Sequence, residues 1–392
     1  MAIPPSGSPT ASTPAARVQA LLARGVRIID PGQIFVDEDV DPARIDPTAT
    51  LYPGTRLHGP RTFLGPAAVV GLEGPATLVD SVFGEGASIA SGFARGAVLF
   101  KAAKLGANAH VREGTILEEE ASTAHAVGLK QTILLSFVTL GSLINFCDLL
   151  MAGGTSREDH SEVGSGFIHF NFTPWGRAGD KATPSLVGDA TSGVFLRQPR
   201  IFLGGQAGLV GPRAVGFGSM TGAGQIVRRD VAAGRLAIQV ARAVDEPLAR
   251  PLEARVRPVV EKNVEYLAQL HALSAFYADV RLGRARRAGR ADLVVVYEEA
   301  IGNLGVCIAE RLSRLKSFLR EHTGQALPAM AGMTVPPCPL PIAGDGAGDA
   351  QAAAIDHVKW IQALSDAEVE RGHAWLQSIA LAVRQRLTGA PG

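Results

Sequence analysis

The chain has 392 residues, with 38 Lys+Arg against 37 Asp+Glu, so no net field draws it to nucleic acid or to an anionic membrane. Glycine is abundant, 45 of 392, while aromatics supply 6% and hydrophobics 46%; that apolar content excludes a disordered chain and calls for an aliphatic core with frequent turns. Cys147, Cys307 and Cys338 are far apart and form no CxxC pair, which excludes a disulfide framework and a cysteine zinc cluster and fits a cytoplasmic protein.

Residues 1–13 are rich in Pro, Ser, Thr and Ala and contain no basic segment followed by an apolar run, so they read as a disordered tail and not a signal peptide. A short helix is expected over Pro14–Ala23, with a lead-in to residue 44. From residue 45 to 240 a period of six takes over. Aliphatics recur at Ile45, Leu51 and Leu57, at Leu64 and Val70, at Phe83 and Ile89, and at Leu105, Val111 and Leu117. Leu203, Leu209, Val215, Thr221 and Val227 continue the series, with small residues between. Thirty of the 45 glycines fall between Leu51 and Val240. A six-residue unit is one short strand plus a turn, which buries its aliphatic only by stacking on the next unit. The expected fold is therefore a parallel β-helix built on hexapeptide repeats, mainly β. A sandwich would show a period of two and more aromatics.

Ile133–Ala152 approaches membrane-spanning length, but Asn145 and Asp148 lie inside it and repeats flank it, so it reads as buried rungs with no membrane insertion. Beyond Ala241 the period becomes helical. Val264, Leu267, Leu270, Leu273, Phe276, Val280 and Leu282 lie three or four apart, and no Gly occurs from Ala241 through Leu282. A second helix is expected from Asp292 to Glu321, a Pro/Gly-rich linker over 327–350, and one continuous helix from Gln351 to Leu387. Residues 241–392 thus form an α-helical domain, as a bundle or as a collar on the repeats.

Several stretches carry a resemblance in order. LLARGVRIIDPGQIFVDEDVDPARIDPTATLYPGTRL, VREGTIL, AHAVGLKQTIL, GSGFIHFNFTP and GSMTGAGQIVRRDV are similar to the acetyltransferase half of the bacterial bifunctional N-acetylglucosamine-1-phosphate uridyltransferase/glucosamine-1-phosphate acetyltransferase. Members of this hexapeptide-repeat transferase family make UDP-N-acetylglucosamine. The resemblance implies a left-handed β-helix, a homotrimer, and an acyl-CoA (acetyl-CoA or another) lying in an intersubunit cleft beside a sugar phosphate or nucleotide sugar. It places Arg112 and Lys130 on the phosphate with Lys181 assisting, as the Arg fork and the Lys point charge suit. Ser142, Asn145 and Asn171 fall at further substrate positions, and Gly205, Thr221 and Arg228 are expected at the acyl-CoA. The nucleotidyl-transfer half has no counterpart, because only about forty residues precede the first coil, so uridylyl transfer is not expected.

One motif departs. The family's general base is a His in a Gly-His-x-x-Tyr-x-Gly-Asp coil, and this chain reads GSLINFCD, with Ser142 in place of the His, Asn145 in place of the Tyr, and Asp148 retained. A serine without an adjacent base takes no proton at neutral pH. His160 with Glu162 in the inserted MAGGTSREDHSEVGSG stretch, His169 one coil later, and His125 beside the Lys130 coil are the candidate replacements. A metal set from His160, His169 and Glu162 and a polyanion contact through Arg281, Arg284, Arg286, Arg287 and Arg290 are the other readings of these clusters. Two functions stand open: an acyltransferase with a relocated base, and a catalytically altered sugar-nucleotide-binding or scaffold protein.

Overall fold

Stacked coils satisfy the six-residue spacing in the computed structural model, which describes residues 13–171, 181–240, 243, 245, 256–330, 335–341 and 356–389. The repeats form a parallel β-solenoid of about 11 turns, of the left-handed type. Its coils have three faces. Face I is a sheet of 11 strands running from Arg27–Ile28 to Leu236–Ala237. Faces II and III share a 16-stranded sheet, because Gly128–Leu134 and Asn145–Met151 run through the corner between them. Every pairing between the described strands is parallel and in register, for example Lys130 with Cys147 and Ile133 with Leu150. The coil begins earlier than the expected residue 45: Arg27–Ile28 already pairs with Thr50–Leu51.

The periodic aliphatics all point inward. Ile45, Leu51, Leu57, Leu64, Val70, Phe83 and Ile89 are fully buried, as are Leu203, Leu209 and Val227. Small residues are required where the coils stack at corners: a Cβ on Gly204 would come within 2.4 Å of the Gly222 backbone. At the corner of faces II and III the chain turns through left-handed residues on successive coils, Gly96, Gly114, Gln131 and Asp148. Helix α1 (Pro14–Ala23) matches its expected bounds and closes the first coil, with Val18 and Leu21 buried and Arg17 Nε donating to the Val36 carbonyl at 2.8 Å.

Face III is apolar on both sides. Outside it, Val82, Val98, Ile116, Ile133, Leu150 and Leu186 stack in one register column. All are covered by the helical region, where Tyr266, Leu270, Leu273, Phe276, Tyr277 and Val280 join the same cluster. This double burial accounts for the membrane-like hydropathy of Ile133–Ala152, whose strands read as a continuous apolar run as doubly covered parallel strands do. No described helix is long and apolar enough to cross a membrane. Each of the six column residues gains about 1.5–3 kcal/mol from being covered.

The described helical region has six segments: α3 (Val256–Ala275), a π-helical stretch Phe276–Leu282, α4 (Gly283–Arg287), α5 (Ala291–Thr323), α6 (His357–Ala363) and α7 (Asp366–Thr388). A short α2 (Ala190–Gly193) precedes them within the solenoid. Helix α5 meets the expected Asp292–Glu321 closely. The single helix expected from Gln351 to Leu387 is two, because Leu364 turns extended and Ser365 caps a new helix in a box with Glu368. The tail through residue 12, most of 241–255 and much of the 327–350 linker lie outside the described residues.

Helix α5 runs along the corner of faces II and III. Residues four apart contact several different coils: Glu299 pairs with Arg61 at 3.4 Å, and Asn303 Nδ2 donates to the Gly96 and Thr115 carbonyls at 2.8 and 3.2 Å. Cys307 Sγ donates to the Gly114 carbonyl at 3.2 Å, and Arg311 pairs with Asp148 at 2.9 Å.

At the other end of this interface Arg281 is buried between Glu118 and Glu119, at 2.9 and 2.6 Å, and among the rings of Phe100, Tyr277 and Tyr297. Tyr277 also donates to Glu118, at 2.6 Å. Burial raises the Glu118 carboxyl while Arg281 opposes the rise. Removing Arg281 would strand two buried carboxylates. Arg281→Met is expected to lower the unfolding free energy by about 3–5 kcal/mol in urea titrations, and Arg281→Met with Glu118→Gln and Glu119→Gln to recover much of it. A single variant as stable as the wild type would show that these charges do not hold the domains together.

Candidate active site

Ser142 sits in the turn Gly141–Ile144 that carries the chain from face I to face II, and one coil earlier the same turn position is His125, because Thr123 and Leu140 are register partners. The two side chains meet: His125 Nδ1 lies 2.9 Å from Ser142 Oγ. Stacking thus sets an imidazole beside Ser142, that of His125, one of the three histidines singled out from the sequence. His125 is exposed, so its second nitrogen is open to solvent.

Face II continues from this turn. Its outward column holds Arg95, then Arg112, Lys130 and Cys147 on successive coils; Arg95 and Arg112 are exposed and Lys130 is half-buried. Among the described residues none of these three cations has a carboxylate within ion-pair distance. Burial raises the Cys147 thiol and Asp148 adds to the rise, while Arg112 and Lys130 oppose it. Next to this column lie Phe93, His110, Gly128 and Asn145, with the Phe93 and His110 rings stacked at 5.3 Å and Arg95 over Phe93 at 5.4 Å. Sequence reasoning missed Arg95, Phe93 and His110. The hexad register was the available signal, since counting back one coil from Arg112 lands on Arg95.

Asp148 closes the patch at the next corner. It has a left-handed backbone, φ 56°, which Asp tolerates better than most residues. Its carboxylate pairs with the buried Arg311 and accepts from Asn171 Nδ2 at 3.1 Å. Arg311 also donates to the Lys181 carbonyl at 2.8 Å, while the Lys181 side chain is exposed. Phe172, after Asn171, lies outside the described residues.

Other expected groups are placed elsewhere. His169 occupies the inward column of face II, level with Leu209, and is 3% exposed. Its Nδ1 bonds the Cys147 carbonyl at 2.6 Å and its Nε2 the Ser185 hydroxyl at 2.8 Å, so both nitrogens are engaged inside the coil and it does not face a substrate. His160 belongs to the loop joining faces III and I, across the coil from Ser142, with Nδ1 on the Arg157 carbonyl at 2.8 Å; burial and Arg157 lower its pKa. Glu162 points outward from face I beside Thr139 and Phe202. The three-residue set His160, His169 and Glu162 is therefore not assembled, and no group of three or more His, Cys, Asp or Glu suited to a metal occurs among the described residues.

Thr221, expected at the acyl-CoA, is instead an inward rung residue, 1% exposed, accepting from the Gly204 N–H at 3.2 Å. Gly205 is in a stacked corner where a Cβ would approach the Ser165 carbonyl at 2.8 Å, and Arg228 is exposed. Of the arginines read as a polyanion contact, Arg281 and Arg284 are buried in the helical interface.

The buried His169 generates a pH prediction. Burial holds it at about 4, below the ordinary value of 6.5, so the folded imidazole stays neutral while the unfolded one takes a proton. The stability it contributes is complete above pH 6.5 and lost as pH falls toward 4. Its share of the acid loss is about 3 kcal/mol, and stepped-pH urea titrations should show His169→Gln removing that share; an unchanged acid slope would contradict the buried, neutral placement.

No family model matches the chain. It is 31% identical over 224 residues to the bifunctional protein GlmU of Pseudarthrobacter chlorophenolicus, covering 57% of this chain and 40% of that protein. It is 32% identical over 217 residues to GlmU of Kineococcus radiotolerans, covering 55% and 39%. The resemblance read from the sequence is borne out, and the chain spans about two-fifths of the length of these curated relatives. Among solved structures, a match to the polySia specific acetyltransferase NeuO covers 58% of this chain and 88% of that one at 10% identity, with a TM-score of 0.14.

Proposed function

We propose that the chain transfers an acyl group from an acyl-CoA to an amine or hydroxyl of a sugar phosphate or nucleotide sugar, with His125 as the general base. The observation that carries this reading is the 2.9 Å contact between His125 Nδ1 and Ser142 Oγ, which sets an imidazole one coil from where the GlmU-like motif would have it. In the tautomer whose Nδ1–H donates to Ser142, Nε2 keeps its lone pair. It takes the proton of the attacking group as the new C–N or C–O bond forms. The thioester C–S bond breaks, and the CoA thiolate leaves and is protonated. Arg112 and Lys130, with Arg95 beyond them, hold the phosphate by unpaired positive charge, and Asn145 lies between base and cations to orient the acceptor. Lys181 and Asn171 flank the far edge. Acetyl-CoA as donor, its passage by Gly205 and Arg228, a trimer with the cleft between subunits, and a cytoplasmic location belong to the same proposal.

The second reading, a sugar-phosphate-binding or scaffold protein, has its own support. Asp148, the acidic residue shared with the family motif, is neutralised by Arg311 of the helical region, so it is retained for a structural reason as well as any catalytic one.

CoA release from acetyl-CoA, followed with a thiol reagent against a panel of amino sugar phosphates and UDP-sugars, separates the two. For the enzyme, His125→Ala should lower kcat/KM by about 10²–10⁴, while Lys130→Ala should chiefly raise the acceptor KM. No release with any acceptor, alongside sugar-phosphate binding that Lys130→Ala abolishes, would sink the enzymatic reading and leave the binding one.

A further inference from the structure

One outward position on face II holds a glycine that the fold does not require. Many solenoid glycines are fixed by their surroundings: a Cβ on Gly106 would come within 2.4 Å of the Ala124 carbonyl, and Gly92 has φ 119°. Gly128 is under neither constraint. It lies in a regular strand between His110 and Asn145, its register partners on the coils before and after. Its backbone is not left-handed, and a Cβ there would meet nothing closer than Asn145 Nδ2, at 3.7 Å. A glycine weakens a strand, and where neither a bulge nor tight packing calls for one it leaves room for something that approaches the backbone.

That room has two walls and a charged flank. The Phe93 and His110 rings stack from one coil to the next, 5.3 Å apart and 24° from parallel, so the second face of the exposed His110 ring turns toward the place a Gly128 side chain would fill. Asn145, exposed on the other side, offers an amide that both donates and accepts. His110 and Asn145 are two coil steps apart, about 10 Å, which admits one ring with a van der Waals contact of about 3.5–4 Å on each side. Two residues on from His110 and Gly128, Arg112 and Lys130 stand on the same outward side, about 7 Å along the strand. An aromatic face opposite an amide, beside cations suited to phosphate, fits a sugar ring: its C–H face covers the imidazole, and its hydroxyl or amino groups meet the amide.

We infer that the gap over Gly128 seats the pyranose ring of the acceptor, with His110 against one face, Asn145 at the other, and Arg112 and Lys130 on the phosphate the ring carries. The inference rests on the proposed function in taking a sugar phosphate as the face II ligand, and goes beyond it in naming His110 and Gly128 as the residues that select a ring. An acyclic phosphate or inorganic phosphate meets the same cations and leaves the gap empty.

The test is calorimetric titration of the full chain with glucosamine 1-phosphate, glycerol 3-phosphate and inorganic phosphate at constant ionic strength. Gly128→Val fills the gap from a position where the fold has space. It should melt no lower than the wild type and weaken glucosamine 1-phosphate binding by about tenfold or more, with the other two ligands bound as before. His110→Ala, at an exposed position, should weaken binding of the same ligand alone, by about three- to tenfold. Undiminished glucosamine 1-phosphate binding by Gly128→Val, an equal loss for all three ligands, or no binding of glucosamine 1-phosphate by the wild type overturns the inference. CoA release distinguishes its failure from that of acyl transfer. A Gly128→Val protein with full activity and an unchanged acceptor KM sinks the ring site and leaves the transfer, whereas no release from the wild type, with the selective binding loss intact, sinks the transfer and leaves the ring site.

Discussion

Everything distinctive about this chain follows from one apolar column on the outside of a solenoid face. A β-helix normally buries one side of each strand, and its outer side is free to be polar. Here Val82, Val98, Ile116, Ile133, Leu150 and Leu186 stack outward in register, and a stripe of that length exposed to water would be a docking or aggregation surface. The helical region covers it, with Leu270, Leu273, Phe276 and Tyr277 as the counter-surface. Once those helices are seated, α5 is held against the neighbouring corner, and its polar edge becomes part of what that corner can do.

The buried charges at this joint work on specificity more than on strength. Taking Arg281, Glu118 and Glu119 out of water costs nearly as much as their mutual attraction returns, and an apolar packing of the same volume could serve as well. What the triad does is penalise every other docking of the helices, since any slip along the solenoid leaves charges buried and unpaired. The regular coil makes such slips a real alternative, because each apolar rung looks much like the next.

That regularity also explains what was legible in the sequence. The inward column repeats every six residues, so the solenoid, its corners and most inward residues could be read one coil at a time. Helices α1 and α5 lie close to the bounds expected from the sequence. The break at Leu364 and Ser365 was hidden because the apolar stripe continues across it, and only the capping box of Ser365 and Glu368 marks the restart. His169 was misread for the opposite reason: a histidine invites a chemical role, yet its position is level with Leu209 in the inward column, which register predicts and residue type obscures. Thr221 had been counted as a rung by its spacing, and that spacing was the better guide to it.

The candidate site shows what a linear motif cannot carry. In a stacked coil, residues about 17 apart in sequence are neighbours about 4.8 Å apart in space, so a functional group can move by one coil and still reach nearly the same point. Read along the chain, Ser142 has no imidazole next to it; read along the solenoid axis, His125 is its hydrogen-bond partner, at 2.9 Å. The same axis turns Arg95, Arg112 and Lys130 from isolated surface charges into a ladder of cations with no carboxylate in ion-pair reach among the described residues. Side by side at coil spacing these charges repel one another, and an anion laid along face II relieves that repulsion. The loss of one motif residue therefore says less about activity than the composition of the column it belongs to.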